Sequence, residues 1–156
     1  LQVRDHFNPW RDGRALAFKK AIMETQTGNE LIVAERTRQI EVEGWTPEHD
    51  DEHTAGQLAN AAFCYEAYAT CQVSNVVAPS FICAAWPWDW AWWKPASNSY
   101  CGIIRNYVKA GALYLAERER IARLNLPGVI PQERLLQLDQ SVERMAKAID
   151  QSQSSR

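Results

Sequence analysis

Apolar residues along the chain recur at helical rather than alternating steps, and the breaks between these stretches fall at Gly and Pro. The stretch from Arg14 to Thr25 carries Leu16, Phe18, Ile22 and Met23 among basic residues, which predicts a short amphipathic helix stopped by Gly28. Asn29 is expected to cap a second helix from Glu30 to Glu43, with Gly44 at its end. Its Leu31, Ala34 and Ile40 can share a face while Glu35, Arg36 and Arg38 point outward. Thr54 and Gln57 form a capping-box pattern ahead of Leu58, Ala61, Ala62, Tyr65 and Ala69. A long helix is predicted from Tyr100 to Leu124, where Ile104, Val108, Gly111, Leu115 and Arg118 fall at helical steps and Gly111 lets a neighbouring helix approach. Pro131 suits the first turn of a last helix ending at Asp150, with Leu135, Leu138, Val142, Met145 and Ile149 as its buried stripe.

Two stretches interrupt the helical pattern. Trp45 to His53 reads as a polar turn containing Pro47 and the run Glu48-His49-Asp50-Asp51-Glu52-His53. Between Ser74 and Ser99, Pro79, Pro87 and Pro95 exclude any long regular element. The expected fold is mainly α: a compact single-domain helical fold with a Trp/Pro-rich loop and few or no strands. Residues 1–29 are expected as an N-terminal extension, 30–150 as the helical domain and 151–156 as a frayed tail.

A length of 156 residues suits one hydrophobic core. The formal net charge of -2 and a pI near 5.9 exclude bulk attraction to a nucleic-acid backbone and leave room for a local basic pocket. No apolar run approaches the roughly 20 residues needed to span a bilayer, and Leu1 to Trp10 lacks a basic region followed by an apolar stretch, so no membrane association and a cytoplasmic location are expected. Cys64, Cys71, Cys83 and Cys101 lack paired ligand spacing, which predicts buried free thiols and no structural zinc. The unusual number is Trp: of seven, Trp86, Trp88, Trp90, Trp92 and Trp93 lie within one short segment.

Three chemical readings compete for the acidic and histidine run. His49-Asp50-Asp51-Glu52-His53 spells the H-x-x-E-H pattern of inverted zinc peptidases, with Glu117 or Glu119 as a third ligand. Pro47 before the run and Thr54 after it oppose that reading, because both imidazoles must project from one formed helix. Glu48-x-x-Asp51 resembles half of the carboxylate set with which helical nucleotide pyrophosphohydrolases hold magnesium, but the chain contains no E-x-x-E to complete it. In the third reading Asp51 and Glu52 solvate the start of the helix at Thr54, while His49 and Asp50 form an inward pair beside Trp45. The Trp segment is too apolar for an ordinary loop: it either plugs the core or forms a wall on which a flat ligand stacks, with Lys94 and Arg105 or Lys109 meeting phosphates.

Taken together, Glu35-Arg-Thr-Arg-Gln-Ile, Glu43-Gly-Trp-Thr-Pro-Glu-His-Asp-Asp-Glu-His53, Gly56-Gln-Leu-Ala with Cys64-Tyr65, Trp86-Pro-Trp-Asp, Trp92-Trp-Lys-Pro95 and Val108-Lys-Ala-Gly-Ala-Leu with Ala116-Glu117 resemble a family of small uncharacterised phage and prophage proteins. The resemblance covers residues 35–124. Gly44-Trp45 and Asp50-Asp51 to His53 are more faintly similar to the ryanodine-receptor repeat, a helical module associated with nucleotide-like ligands, although the Asp pair lies closer to the Trp here. These resemblances imply a phage accessory protein in the cytoplasm of a bacterial host. The expected site lies between the turn and the Trp-rich loop: Trp45, His49, Asp50, His53, Trp88, Trp90, Trp92, Trp93, Lys94, Arg105 and Lys109. A small nucleotide-like ligand is the expected partner, with no cofactor, metal or catalytic residue, and sequestration of a host immune signal fits such a site. Two other readings stand beside it, a metal-dependent nucleotide hydrolase and an interaction module for a host protein; homo-oligomerisation is left open.

Overall fold

From Asn106 to Glu117 the long central helix carries Tyr107, Val108, Ala110, Ala112, Leu113, Tyr114 and Ala116, which point in every direction around its axis and are all buried. A helix apolar on all sides must be surrounded, and this one is the axis of the fold. The computed structural model describes residues 13–77 and 80–155. Among them the chain forms α1 (Gly13–Thr25), α2 (Gly28–Glu41), α3 (Pro47–Asp51), α4 (Gln57–Ser74), α5 (Phe81–Ala85), a 3-10 turn at Trp90–Trp92, α6 (Tyr100–Leu124) and α7 (Val129–Ser154), with no strand. The protein is a mainly α, compact single domain. Helices α4 and α7 pack along α6, α2 crosses both α6 and α7, α3 rests on α6, and α5 on α4. None of the described helices is long and apolar enough to cross a membrane.

Helix α6 has the predicted bounds, and Gly111 does admit a neighbour: a Cβ there would lie 2.5 Å from Ile32 Cδ1 of α2. Several other expectations are corrected. Gly28 does not stop a helix, nor does Asn29 cap one. Thr27 is the cap, its hydroxyl accepting from Glu30 N–H while Glu30 accepts from Thr27 N–H at 2.8 Å. Gly28 begins α2 because α7 runs against it, and an added Cβ would sit 2.7 Å from Ala146 Cα. Gly56, in a left-handed conformation with φ 76°, precedes α4, so the Thr54 box does not form; Gln57 Oε1 instead accepts from Ala55 N–H at 2.8 Å. Helix α7 starts before Pro131 and continues past Asp150, held where Gln153 donates to the carbonyls of Met23 and Gln26. Leu138, Met145 and Ile149 of its predicted stripe are buried.

The largest correction concerns α2. Its buried positions are Gly28, Leu31, Ile32, Glu35, Arg36 and Gln39, a stripe at helical steps whose second half is polar, while Ala34 is exposed. The expectation that Glu35 and Arg36 point outward fails because partners elsewhere in the chain neutralise them inside. Arg38 is half-buried beside them. Of the thiols, Cys64 is buried as expected but Cys71 and Cys101 are only half-buried. Pro9, Pro79 and the side chains of Leu16, Phe18 and Cys83 lie outside the described residues.

Because Gly28 faces α7 backbone rather than a pliable side chain, Gly28→Ala is expected to destabilise the fold by about 1 to 3 kcal/mol. Urea denaturation should show a lower midpoint with an unchanged slope. A midpoint equal to that of the parent protein would show that α2 and α7 separate without cost.

Candidate functional site

The polar half of the α2 stripe meets its counter-charges on three sides. Glu35 accepts from Arg38, the next turn of its own helix, at 2.8 and 2.9 Å and from Arg105 of α6 at 2.7 and 3.2 Å. Burial opposes the charge on Glu35, but the hydrogen bonds and charges of Arg38 and Arg105 outweigh it and hold the carboxyl below its ordinary value. Arg38 reaches on to Glu43 at 2.7 Å. Arg36 points the other way, to Asp50 of α3 at 2.5 Å, to Glu119 of α6 at 3.0 Å and to the Trp45 carbonyl at 3.3 Å. This arginine therefore fastens the turn and α3 to the axis.

The Glu48 to His53 run is not a bare turn. Thr46 caps α3, whose single turn buries Asp50 and leaves His49 exposed, with His49 Nδ1 4.0 Å from Asp50 Oδ1. The expected inward pair is thus Asp50 with Arg36. Asp51 and Glu52 do not solvate the start of α4: Asp51 pairs with Arg123 at 2.7 Å, and Glu52 closes α3. His49 and His53 stand edge to face at 5.1 Å, and His53 lies 5.2 Å from Trp88. Burial and the neighbouring His49 hold His53 below its usual pKa. Glu117 is paired with Arg120, and Glu119 with Arg36. Among the described residues no group of three His, Cys, Asp or Glu is placed to hold a metal ion.

The Trp-rich loop serves as plug and wall at once. Trp86 is buried, with its ring 4.9 Å from Trp93 and 5.8 Å from Tyr65, and its Nε1–H donates to Asp89 O at 3.2 Å. Trp93 packs between Tyr65 at 4.8 Å and Tyr68 at 5.7 Å. The loop is pinned after Pro95 by buried Asn106, which accepts from Ala96 N–H at 2.8 Å and donates to Gln72. Beside this plug, half-buried Trp88 and exposed Trp92 line a cavity.

The cavity measures about 620 Å³, within the range of small-molecule sites. Of the predicted site residues, Trp45, His49, Asp50, His53, Trp88, Trp92, Lys94 and Lys109 line it. Trp90, Trp93 and Arg105 are not among its lining residues: Trp90 is 48% exposed outside Trp86, Trp93 is part of the plug, and Arg105 stands behind Glu35. Sequence reasoning missed Glu35, Arg38, Gln39, Glu43, Leu58, Tyr65, Trp86, Asp89 and Leu113. The i, i+3, i+4 spacing of Glu35, Arg38 and Gln39 with Leu31 and Ile32 was the available signal. Lys109 donates to Lys94 O at 2.5 Å and lies 5.1 Å above the Tyr65 ring, while Lys94 lies 5.3 Å from Trp92. Burial, with Arg105 adding its charge, pushes Lys109 down to about 8.

No family model, curated protein or solved structure matches the chain.

Two stability measurements follow from this geometry. Trp86→Ala empties part of the plug and should cost about 3 to 5 kcal/mol, whereas Trp92→Ala, at a 57% exposed ring, should cost well under 1 kcal/mol. Similar losses in thermal melts of both variants would dissolve the distinction between plug and wall. Glu35 has a lowered pKa in the fold, so its stabilisation is present above the ordinary carboxylate value and is lost as pH falls through the lowered one. Glu35→Gln should therefore lower stability at neutral pH by about 2 to 3 kcal/mol, toward the low side for a buried pair because both arginines are partly solvated, and flatten the acid limb of the stability profile. An acid limb as steep as the parent's would place the titration elsewhere.

Proposed function

We propose that the protein is a non-enzymatic binder of a small nucleotide-like ligand, taken up in the cavity between α2, α3, α6 and the Trp-rich loop. The observation that carries the reading is the pairing of aromatic walls with two lysines outside any ion pair among the described residues. Trp45, Trp88 and Trp92 offer flat apolar faces to a base. Glu35, Glu43 and Asp50 are each matched by an arginine and Asp89 accepts from Ala91 N–H, whereas Lys94 and Lys109 form no ion pair among the described residues and so favour an anion such as phosphate. All the residues lining the cavity fall within 35–113, inside the stretch that resembles the phage and prophage proteins. That resemblance extends the proposal to an accessory protein in an infected bacterial cell, sequestering a nucleotide immune signal by affinity alone.

The first test is a thermal-shift panel of nucleoside phosphates and cyclic nucleotides. A true ligand at 100 times its Kd should stabilise the fold by about 2.7 kcal/mol. If none raises the melting temperature, the exposed rings of Trp90 and Trp92 make an interaction surface for a host protein the better reading. Turnover of a panel member with magnesium or zinc supplied would favour the hydrolase.

A bound anion favours protonated Lys109, so affinity should be full below pH 8 and decline as pH rises above it. Lys109→Met should weaken binding about tenfold or more at pH 7 and remove the decline between pH 7 and 9. Calorimetry across that range checks both, and a parent profile unchanged by the substitution would take Lys109 out of the phosphate contact.

A further inference from the structure

Among the described residues lining the cavity, Gln39 carries a buried side-chain oxygen that no protein group satisfies. Its side chain is buried in the polar stripe of α2, 2% exposed, and its Oε1 has no hydrogen-bond partner. The charged groups around it are all engaged: Glu35 by two arginines, Arg38 by two carboxylates, Arg36 by Asp50 and Glu119. A buried amide oxygen without a donor is destabilising, and a hydrocarbon of the same length would fill the place at lower cost. What an amide adds is recognition. The terminal torsion of a Gln is soft and nearly two-fold, so a half turn presents either the oxygen or the N–H group to the cavity at little cost.

The chemistry of the amide limits what would be recognised. The Trp45 backbone N–H donates to the Gln39 backbone carbonyl at 3.0 Å, and both residues line the cavity. A flat ring taken up beside Trp45 can turn its edge toward Gln39. The amide offers an acceptor and a donor side by side, the pattern with which Gln grips adenine through its amino group and an adjacent ring nitrogen. An amide oxygen repels phosphate, which belongs with Lys94 and Lys109.

We propose that Gln39 reads the base of the bound nucleotide, its amide pairing with an adenine edge that carries an N–H donor beside a bare ring nitrogen. This rests on the nucleotide-binding reading above and adds to it the class of base. Calorimetry with adenosine 5′-monophosphate and purine riboside 5′-monophosphate tests it, since the second keeps ring, ribose and phosphate and lacks only the amino group. The parent protein should prefer the adenosine nucleotide by about tenfold or more. In Gln39→Met the two affinities should converge on the weaker value, while the ligand-free variant melts at or above the parent temperature because an orphaned acceptor has been removed. A structural role for Gln39 would lower that melting temperature instead. Equal binding of both nucleotides by the parent protein, or a preference that survives in Gln39→Met, overturns the assignment of Gln39 and leaves nucleotide binding standing. Binding of neither, with no shift from guanosine, cytidine or cyclic nucleotides, overturns both.

Discussion

Charge buried on α2 organises the structure. Glu35 and Arg36 follow Leu31 and Ile32 on the face that α2 turns inward, and neither can be left there unpaired. Their needs are met in different directions. Glu35 draws Arg105 across from α6, and Arg36 draws Asp50 from α3 and Glu119 from further along α6. The three helices are thereby joined at this end by polar groups rather than apolar ones. Much of the cavity lies along this polar seam.

The apolar part of the core does complementary work. Gly28 lets α2 lie against α7, and Gly111 lets it lie against α6, so one end of α2 is packed tightly while its polar end opens to the cavity. The Trp-rich loop covers the other side. Trp86 and Trp93 bury themselves against Tyr65 and Tyr68, and Asn106 secures the segment that follows. With the loop fixed at both places, Trp88, held against Trp86 and His53, forms a wall that needs little ordering when a ring stacks on it, while Trp92 stands exposed at its edge. Preorganisation of this kind favours affinity, because the side chains have already lost their freedom before a ligand arrives.

On the proposed reading this arrangement serves capture. The carboxylates along the cavity are committed to arginines or backbone, and His53 is held toward its neutral form beside Trp88. Two lysines outside any ion pair among the described residues, a set of aromatic faces and one amide oxygen remain to meet the proposed ligand.

The sequence alone determined the helical class and the bounds of α6 and pointed to the acidic turn and the Trp segment, which border one cavity, because each has a local signal: periodicity, capping residues, and too many rings for an exposed loop. Eight of the predicted site residues line the cavity for the same reason, since turn and loop chemistry is visible in short windows. Tertiary structure decided the rest. Periodicity marks a buried stripe only while that stripe is apolar, so Glu35, Arg36 and Gln39 read as a solvated face until Arg105 and Asp50, 70 and 14 residues away, are brought against the first two. Gly28 likewise reads as a helix stop until Ala146 is packed on it. Which rings of the Trp segment plug and which line the cavity depends on Tyr65, Tyr68 and Asn106, whose distance along the chain hides a contact that only folding makes.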